Sequence, residues 1–142
     1  MGSAARAAAD GGGAVLGVMP EVLVKREELA TSLGQNIVVD SLAERKARMA
    51  EASQAFVALP GGIGTLDEVT EMITWNELGI HAKPVLLLNK FGFWDPLLEF
   101  FRHGRGVGVI RPGFDAHYGV VNTLDELFDR LRHSYRAGIA TV

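Results

Sequence analysis

Two acidic residues follow a glycine-rich loop near the middle of the sequence. Residues 55–68 read AFVALPGGIGTLDE, an apolar run followed by a glycine loop and then by Asp67 and Glu68. The loop glycines are Gly61, Gly62 and Gly64. The order predicts a strand, a turn and a helix that begins at Thr65, whose N–H groups and dipole favour an anion such as phosphate. Glycine allows a ligand to approach the backbone and permits positive φ, and both acids would lie in the first helical turn beside that anion.

The two acids have two possible roles. The tetrapeptide TLDE occurs at residues 65–68 and again at residues 123–126. Both copies fit a capping box, in which threonine is the N-cap and glutamate bonds back to it, and such a cap contributes about 1 kcal/mol. Only the first copy follows a glycine loop at the end of a strand, where ligands of open α/β sheets bind. The sequence therefore leaves open whether Glu68 caps a helix or does chemistry, and Glu71 is one turn further along.

A basic turn is the second candidate group. Ser41 and Glu44 predict a capping box at the start of a helix that carries Arg45, Lys46 and Arg48 directly after the short strand NIVVD. Such a turn is either a solvated helix face or a group that meets the glycine loop across the edge of a sheet.

Apolar strands and helices alternate along the chain and must position these residues. Glycines 11–13 follow a helix and precede a strand, so they are interpreted as a helix C-cap and not as a phosphate loop. Strands are predicted at 14–19, 36–40, 56–59, 85–89 and 118–122, and helices at 2–9, 41–52, 65–78, 93–103 and 123–135, with a helix or loop at 21–34 and a glycine-rich connector at 104–113. The strand at 85–89 is a continuous apolar run of the kind that is buried on both faces, and the helix at 65–78 has Val69, Met72 and Ile73, with Asn76 as a further candidate, at the spacing of one buried face. The alternation predicts a doubly wound, Rossmann-like parallel α/β sheet with three layers, in a single domain over residues 1–142.

Composition narrows the class of protein. A net charge of −3 gives no reason to expect a nucleic-acid or membrane surface, and the absence of cysteine excludes disulfides and thiolate sites. The histidines form no metal-binding pattern, and Trp75 and Trp94 are predicted to be core or interface residues. A cytoplasmic protein that acts on or binds a small molecule is the natural expectation.

The segments PGGIGTLDE and LAERKARM resemble the LOG (Lonely guy) family, which is marked by PGGxGTxxE and an upstream RK segment. GGAVLGVMPEVL and EMITWNELGIHAKPVLLLNKFGFWDPLLEF are similar to further parts of the family. These proteins were formerly described as lysine decarboxylases, but no lysine of this chain is placed as a Schiff-base site. The resemblance implies hydrolysis of the N-glycosidic bond of an adenosine 5′-monophosphate, often N6-modified, by a homodimer without a metal or organic cofactor. It assigns Arg45 and Glu68 as the catalytic pair, and as the substrate and phosphate cradle Lys46, Gly61, Gly62, Gly64, Thr65 and Glu71.

The resemblance also indicates a departure at the start of the chain. Met1-Gly2 aligns with the last two residues of the family's GGGxxGLMG motif, so the family's first two strands are expected to be missing from this sequence, as in a fragment or an alternative start. Two other functions stay open on the sequence. One is a non-catalytic nucleotide-binding protein or one like the molybdenum-cofactor carriers, and the other is an inactive truncated paralogue.

Overall fold

A computed structural model describes residues 2–24 and 34–139 of the 142-residue chain. The chain divides into two compact units, Met1–Ala52 and Ser53–Val142, and each unit contains its own parallel sheet. The interpretation of residues 1–142 as a single domain stays a prediction.

The Met1–Ala52 unit has a two-stranded parallel sheet. Its elements are α1 (Gly2–Asp10), β1 (Leu16–Pro20), α2 (Glu21–Val24), β2 (Gln35–Val39) and α3 (Leu42–Ala52). Residue Leu16 pairs with Gln35 and Pro20 with Val39, and the buried side chains include Met19, Val39 and Ala50. The predicted strands at 14–19 and 36–40 are thus confirmed. Most of the predicted helix or loop at 21–34 lies outside the described residues.

The triple glycine ends helix α1, as predicted. The Gly13 N–H donates to the Ala8 carbonyl at 2.8 Å and the Gly12 N–H donates to the Ala9 carbonyl at 2.9 Å. Gly12 has a φ of 79°, the left-handed conformation that this type of helix end requires. These glycines therefore terminate a helix and do not form a phosphate loop.

The Ser53–Val142 unit has a three-stranded parallel sheet in the order β3-β4-β5. Its elements are β3 (Phe56–Ala58), α4 (Ile63–Glu77), β4 (Val85–Leu88), α5 (Asp95–Gly106), β5 (Gly119–Val121) and α6 (Leu124–Ile139), with short 3₁₀ turns at Lys90–Gly92 and Phe114–His117. All four residues of the central strand β4 are buried, which confirms the prediction from its continuous apolar run. Helix α4 buries Val69, Met72 and Ile73, the predicted helical face.

The mixed α/β class with parallel strands is confirmed, and several helix boundaries differ from the prediction, among them those of α4, α5 and α6. Helix α4 begins at Ile63 and not at Thr65, and α5 continues through Gly106 into the predicted glycine connector. The predicted end of α4 is confirmed, since Gly79 has a φ of 72° and the Ile80 N–H donates to the Trp75 carbonyl at 2.9 Å. No helix within the described ranges is long and apolar enough to cross a membrane.

Candidate functional site

Helix α4 begins directly behind the glycine loop, at the carboxyl end of β3. Its N-cap is Gly62, which has an extended backbone (φ −85°, ψ −159°) and offers no capping side chain. The first backbone bond across the helix start runs from the Leu66 N–H to the Gly62 carbonyl at 3.1 Å. The N–H groups of residues 63–65 precede that bond and have no acceptor inside a helix. Together with the positive end of the helix dipole, they give this helix start the geometry that favours an anion, and the binding of phosphate here stays a prediction.

The three loop glycines have different structural roles. A Cβ atom on Gly61 would lie only 2.9 Å from the Thr65 Cβ, so the threonine side chain covers this part of the backbone and requires glycine there. A Cβ atom on Gly62 or Gly64 would meet no atom within 4 Å, so their backbone faces open space. The expectation of positive φ is wrong for this loop. None of the three loop glycines has a positive φ, whereas several glycines elsewhere among the described residues do. Close approach is therefore the reason for glycine in this loop.

The acids lie one turn deeper in the helix than predicted. Because α4 begins at Ile63, Thr65 is its third residue and the first turn contains no acidic side chain. The predicted capping box at Thr65–Glu68 is therefore wrong, since Gly62 occupies the N-cap position with the extended backbone that this position needs. Glu68 and Glu71 are both partly buried and, three residues apart, share one face of the helix, whereas Asp67 is exposed.

The predicted cap of helix α3 is present in the Met1–Ala52 unit. The Ser41 Oγ accepts a bond from the Glu44 N–H at 3.1 Å, and the Glu44 carboxylate accepts one from the Asp40 N–H at 3.2 Å. Arg48 lies 3.7 Å from the carboxylates of Glu44 and Glu51 on the same helix. Arg48 therefore belongs to the ion pairs of the exposed helix face.

Arg45 and Lys46 are partly buried on the same helix. The Arg45 Nε–H donates to the Val18 carbonyl of β1 at 2.9 Å, which fixes the guanidinium beside that strand. These two residues and the glycine loop belong to different units. The pairing of Arg45 with Glu68 at one site stays a prediction.

An apolar groove of about 400 Å³ lies beside the glycine loop in the Ser53–Val142 unit. One side consists of Gly61, Gly62, Ile63 and Leu66, and the other of Phe93, Trp94, Pro96, Leu97 and Phe100. Trp94 is 4% exposed and is a core residue, as predicted. Sequence reasoning nevertheless missed the segment around it as a wall of the site. The available signal was an aromatic segment directly after a buried strand, at the sheet edge where ligands bind.

Ionisable groups with a shifted pKa lie before strands β4 and β5, at the sheet edge opposite the loop. Burial raises the pKa of the Tyr118 hydroxyl to about 12, and its hydrogen bond to Asp115 acts in the same direction. Burial lowers the pKa of His81, which precedes β4. In the part of the chain that the structure describes, no three His, Asp or Glu side chains are grouped as a metal site.

Comparison with known proteins identifies relatives of the chain. The family model described as "Possible lysine decarboxylase" matches residues 1–131. Over 111 residues the chain is 51% identical to the rice (Oryza sativa subsp. japonica) "Probable cytokinin riboside 5'-monophosphate phosphoribohydrolase LOGL1", covering 78% of this chain and 50% of the relative. Over 131 residues it is 44% identical to rice LOGL2, which has the same descriptive name, covering 92% and 54%. Over 100 residues it is 51% identical to the Arabidopsis thaliana "Cytokinin riboside 5'-monophosphate phosphoribohydrolase LOG2", covering 70% and 47%.

These matches cover most of the chain but only part of each relative. The chain spans about half the length of the curated relatives it matches. The family model extends over both units, from the first helix to the last. The chain therefore belongs to the LOG family, whose family model is described as "Possible lysine decarboxylase".

Proposed function

We propose that this chain hydrolyses the N-glycosidic bond of adenosine 5′-monophosphate, including N6-modified forms, and releases the free base and ribose 5-phosphate. The observation that carries the proposal is the position of Glu68 in the second turn of α4, where helix capping does not account for it. The names of the relatives, cytokinin riboside 5′-monophosphate phosphoribohydrolases, support the same reaction.

The start of α4 suits the 5′-phosphate of such a substrate. The N–H groups of residues 63–65 offer hydrogen bonds to phosphate oxygens, and the helix dipole favours the negative charge. The open backbone at Gly62 and Gly64 admits the ligand, while Gly61 allows Thr65 to sit over the loop. These residues form the proposed phosphate cradle.

Glu68 is the proposed catalytic carboxylate. Cleavage of the bond between ribose C1′ and the base nitrogen leaves positive charge on the sugar, and the bonding electron pair departs with the base. A carboxylate next to the sugar stabilises that charge and accepts hydrogen bonds from the ribose hydroxyls. The oxygen of a water molecule then bonds to C1′, and the proton that this water loses balances the proton that the base gains. Glu71 lies on the same face of the helix and is proposed to bind the substrate next to Glu68.

Arg45 and Lys46 are the proposed cationic partners. A guanidinium donates hydrogen bonds in a fixed planar arrangement and stays charged, so it suits the developing negative charge on the departing base. The hydrogen bond from Arg45 to the Val18 carbonyl supports this role by fixing the side chain in place. None of these steps requires a metal or an organic cofactor.

Base release measured by chromatography tests the proposal. AMP and N6-isopentenyladenosine 5′-monophosphate are incubated with the protein, and adenosine is the matched control without phosphate. We expect free base from at least one nucleotide and a rate from adenosine lower by about 100-fold, because phosphate binding contributes to catalysis. No base from either nucleotide would contradict the proposed activity, and equal rates from AMP and adenosine would contradict the phosphate cradle.

We further propose that the chain is a cytoplasmic homodimer that binds neither nucleic acid nor membranes, as the family resemblance implies. Exposed apolar residues after strands β3 and β4, with Ile63 at 82% and Phe91 at 96%, support an interface at this end of the sheet. Light scattering is expected to give about twice the chain mass of 15.3 kDa. A mass equal to one chain at micromolar concentration would contradict the dimer.

A further inference from the structure

Asn89 is a buried polar residue at the carboxyl end of the central strand, with 8% of its surface exposed. Its backbone N–H donates to the Val121 carbonyl at 2.7 Å, and its carbonyl accepts a bond from the Gly92 N–H at 3.3 Å. Its side-chain Oδ1 accepts a bond from the Trp94 N–H at 2.7 Å, and its Nδ2 donates to the Asp95 Oδ1 at 2.8 Å. The backbone N–H thus bonds Asn89 to the neighbouring strand β5, and its carbonyl and both side-chain groups bond the segment that follows β4.

That segment contains a strained turn. Phe91 has a φ of 59° and a ψ of 25°, a left-handed conformation that side chains other than glycine rarely adopt. Gly92 follows with a φ of 69°, and a Cβ atom there would lie 2.5 Å from the Asp95 Oδ2. Because the Phe91 side chain is 96% exposed, its burial does not maintain the conformation. The hydrogen bonds that span the turn are those of Asn89 and the bond from the Phe93 N–H to the Lys90 carbonyl at 3.3 Å.

The turn leads directly into one wall of the groove beside the glycine loop. Phe93 and Trp94 are the first residues of that wall, and Gly61, Gly62 and Ile63 lie on its other side. The Trp94 N–H bond and the Asp95 bond of Asn89 are made at the point where this wall begins. A shift of the 89–95 segment would therefore change the width of the groove.

We propose that Asn89 is a positioning residue that fixes this wall through its hydrogen bond to Asp95, and that the pair controls nucleotide binding and not the chemical step. The inference rests on the proposed function for the identity of the ligand. A role in stability alone predicts that substitution lowers the melting temperature and leaves KM unchanged. The positioning role predicts a change in KM, with kcat nearly unchanged, that follows the state of the bond.

A swap of the two side chains tests the pair. In Asn89→Asp the carboxylate still accepts the Trp94 N–H, but its second oxygen faces the Asp95 carboxylate and the two repel. In Asn89→Asp with Asp95→Asn, the new amide can donate to the new carboxylate, which restores the bond in the opposite direction. Asp95→Asn alone is the matched control, because the Asn89 amide can still donate to the amide oxygen at position 95. The chain has two tryptophans, so a Trp75→Phe background leaves Trp94 alone, and its fluorescence emission then reports changes in the groove wall.

We expect Asn89→Asp to raise KM for AMP about tenfold and to shift the Trp94 emission, because small displacements in a site weaken productive binding. The double variant and Asp95→Asn should both return KM and emission to near the unsubstituted values. The proposal is overturned if KM in Asn89→Asp equals the unsubstituted value, whether or not kcat changes. It is also overturned if the double variant remains impaired. If Asn89→Asp fails to fold, Asp95→Ala takes its place, because it removes the acceptor of the Asn89 amide; a raised KM is expected, and an unchanged KM would overturn the proposal.

The measurement also separates this proposal from the proposed function. If the unsubstituted protein releases no base, its binding of AMP, followed by Trp94 emission, replaces KM. Binding that is lost in Asn89→Asp and restored in the double variant would then support the positioning role without the activity. Full activity in Asn89→Asp would support the function and overturn the positioning role, and failure of the unsubstituted protein to bind AMP would overturn both.

Discussion

The two copies of TLDE have the same residues and different structures. In the second copy Thr123 caps helix α6, with its Oγ1 accepting the Glu126 N–H at 3.2 Å. The Glu126 carboxylate accepts the Asn122 N–H at 2.7 Å and so satisfies a second backbone donor. In the first copy the same four residues lie inside α4, which began two residues earlier. One copy starts a helix and the other is part of one.

The residues before each copy account for the difference. Strand β5 ends at Val121, and Thr123 occupies the N-cap position of α6, with its Oγ1 accepting the Glu126 N–H. Before the first copy, Gly62 takes the extended N-cap conformation and the helix starts there. Glu68 is consequently released from the capping role that Glu126 has, and it is partly buried while Glu126 is exposed. A glycine loop can therefore place a common capping tetrapeptide inside a helix, where its glutamate no longer caps the first turn.

Exchange of each glutamate for glutamine tests this difference most strongly. We expect Glu68→Gln to lower kcat for base release by 10²-fold or more, since a neutral amide stabilises positive charge on the sugar poorly; this is about 3 kcal/mol of transition-state stabilisation. Glu126→Gln is the matched control, and its kcat should stay within about twofold of the unsubstituted value. The measurement is base release at saturating nucleotide, with circular dichroism to confirm that both variants fold.

Equal losses in the two variants would mean that a contribution to the folded structure, and not chemistry, is the common role of the two glutamates. Unchanged release in Glu68→Gln would remove this residue from the mechanism.

The loop glycines give the next largest expected effect. Gly61→Ala places a methyl group against Thr65, whose branched side chain cannot turn away, so we expect a loss of about 1–3 kcal/mol in the free energy of unfolding. Gly64→Ala has open space around the new methyl group and lies inside a helix, so a gain of about 0.5–1 kcal/mol is expected. Urea unfolding measures both changes.

Gly64→Ala also separates stability from ligand binding. The new methyl group occupies the open side of the proposed phosphate cradle, so affinity for AMP should fall while stability rises. A variant that is both more stable and equally tight for AMP would show that phosphate does not bind on that side of the loop.

The sequence predicted those features that depend on local pattern. The spacing of Val69, Met72 and Ile73 identified the buried face of α4, because a helix repeats every 3.6 residues whatever surrounds it. The site was less accessible, since the sequence pattern indicated Thr65 as the N-cap, whereas the backbone conformation makes Gly62 the N-cap. The backbone N–H of Trp94, at the start of the groove wall, donates to the Asn89 side chain, and no periodicity in the sequence reveals such a bond. The catalytic assignment of Arg45 came from family resemblance, and local pattern alone left its helix as a possible solvated face.

The two threonines should differ by a smaller amount. Thr123→Ala removes the cap of α6 and should lower the free energy of unfolding by about 1 kcal/mol. Thr65→Ala removes no cap, and alanine favours a helix interior, so the expected change is within about 0.5 kcal/mol. Thermal unfolding of the two variants in parallel measures the difference, and equal destabilisation would show that Thr65 contributes to stability as much as a cap does.

The pH dependence of stability gives the smallest expected effect. It matters for the comparison of the two glutamates because a pH profile of either glutamine variant also includes this change in stability. Burial lowers the pKa of His81 from its ordinary value of 6.5, and the positive charge of Lys83 acts in the same direction, while the nearby Met72 backbone opposes both. The geometry agrees, because the His81 Nδ1 accepts the Lys83 N–H at 3.2 Å and so serves as an acceptor in the neutral ring.

A lowered pKa in the folded protein means that the unfolded chain binds a proton first as the pH falls. The contribution of neutral His81 is therefore fully present above pH 6.5, and it is lost progressively as the pH falls from 6.5 toward the folded pKa. We expect the melting temperature to be lower at pH 5.5 than at pH 7.5, and the difference to shrink in His81→Gln, which has no proton to gain. The His81→Gln variant retains Glu68 and Glu126. If its melting temperature falls between pH 7.5 and pH 5.5 by as much as that of the unsubstituted protein, the pH dependence comes from groups other than His81.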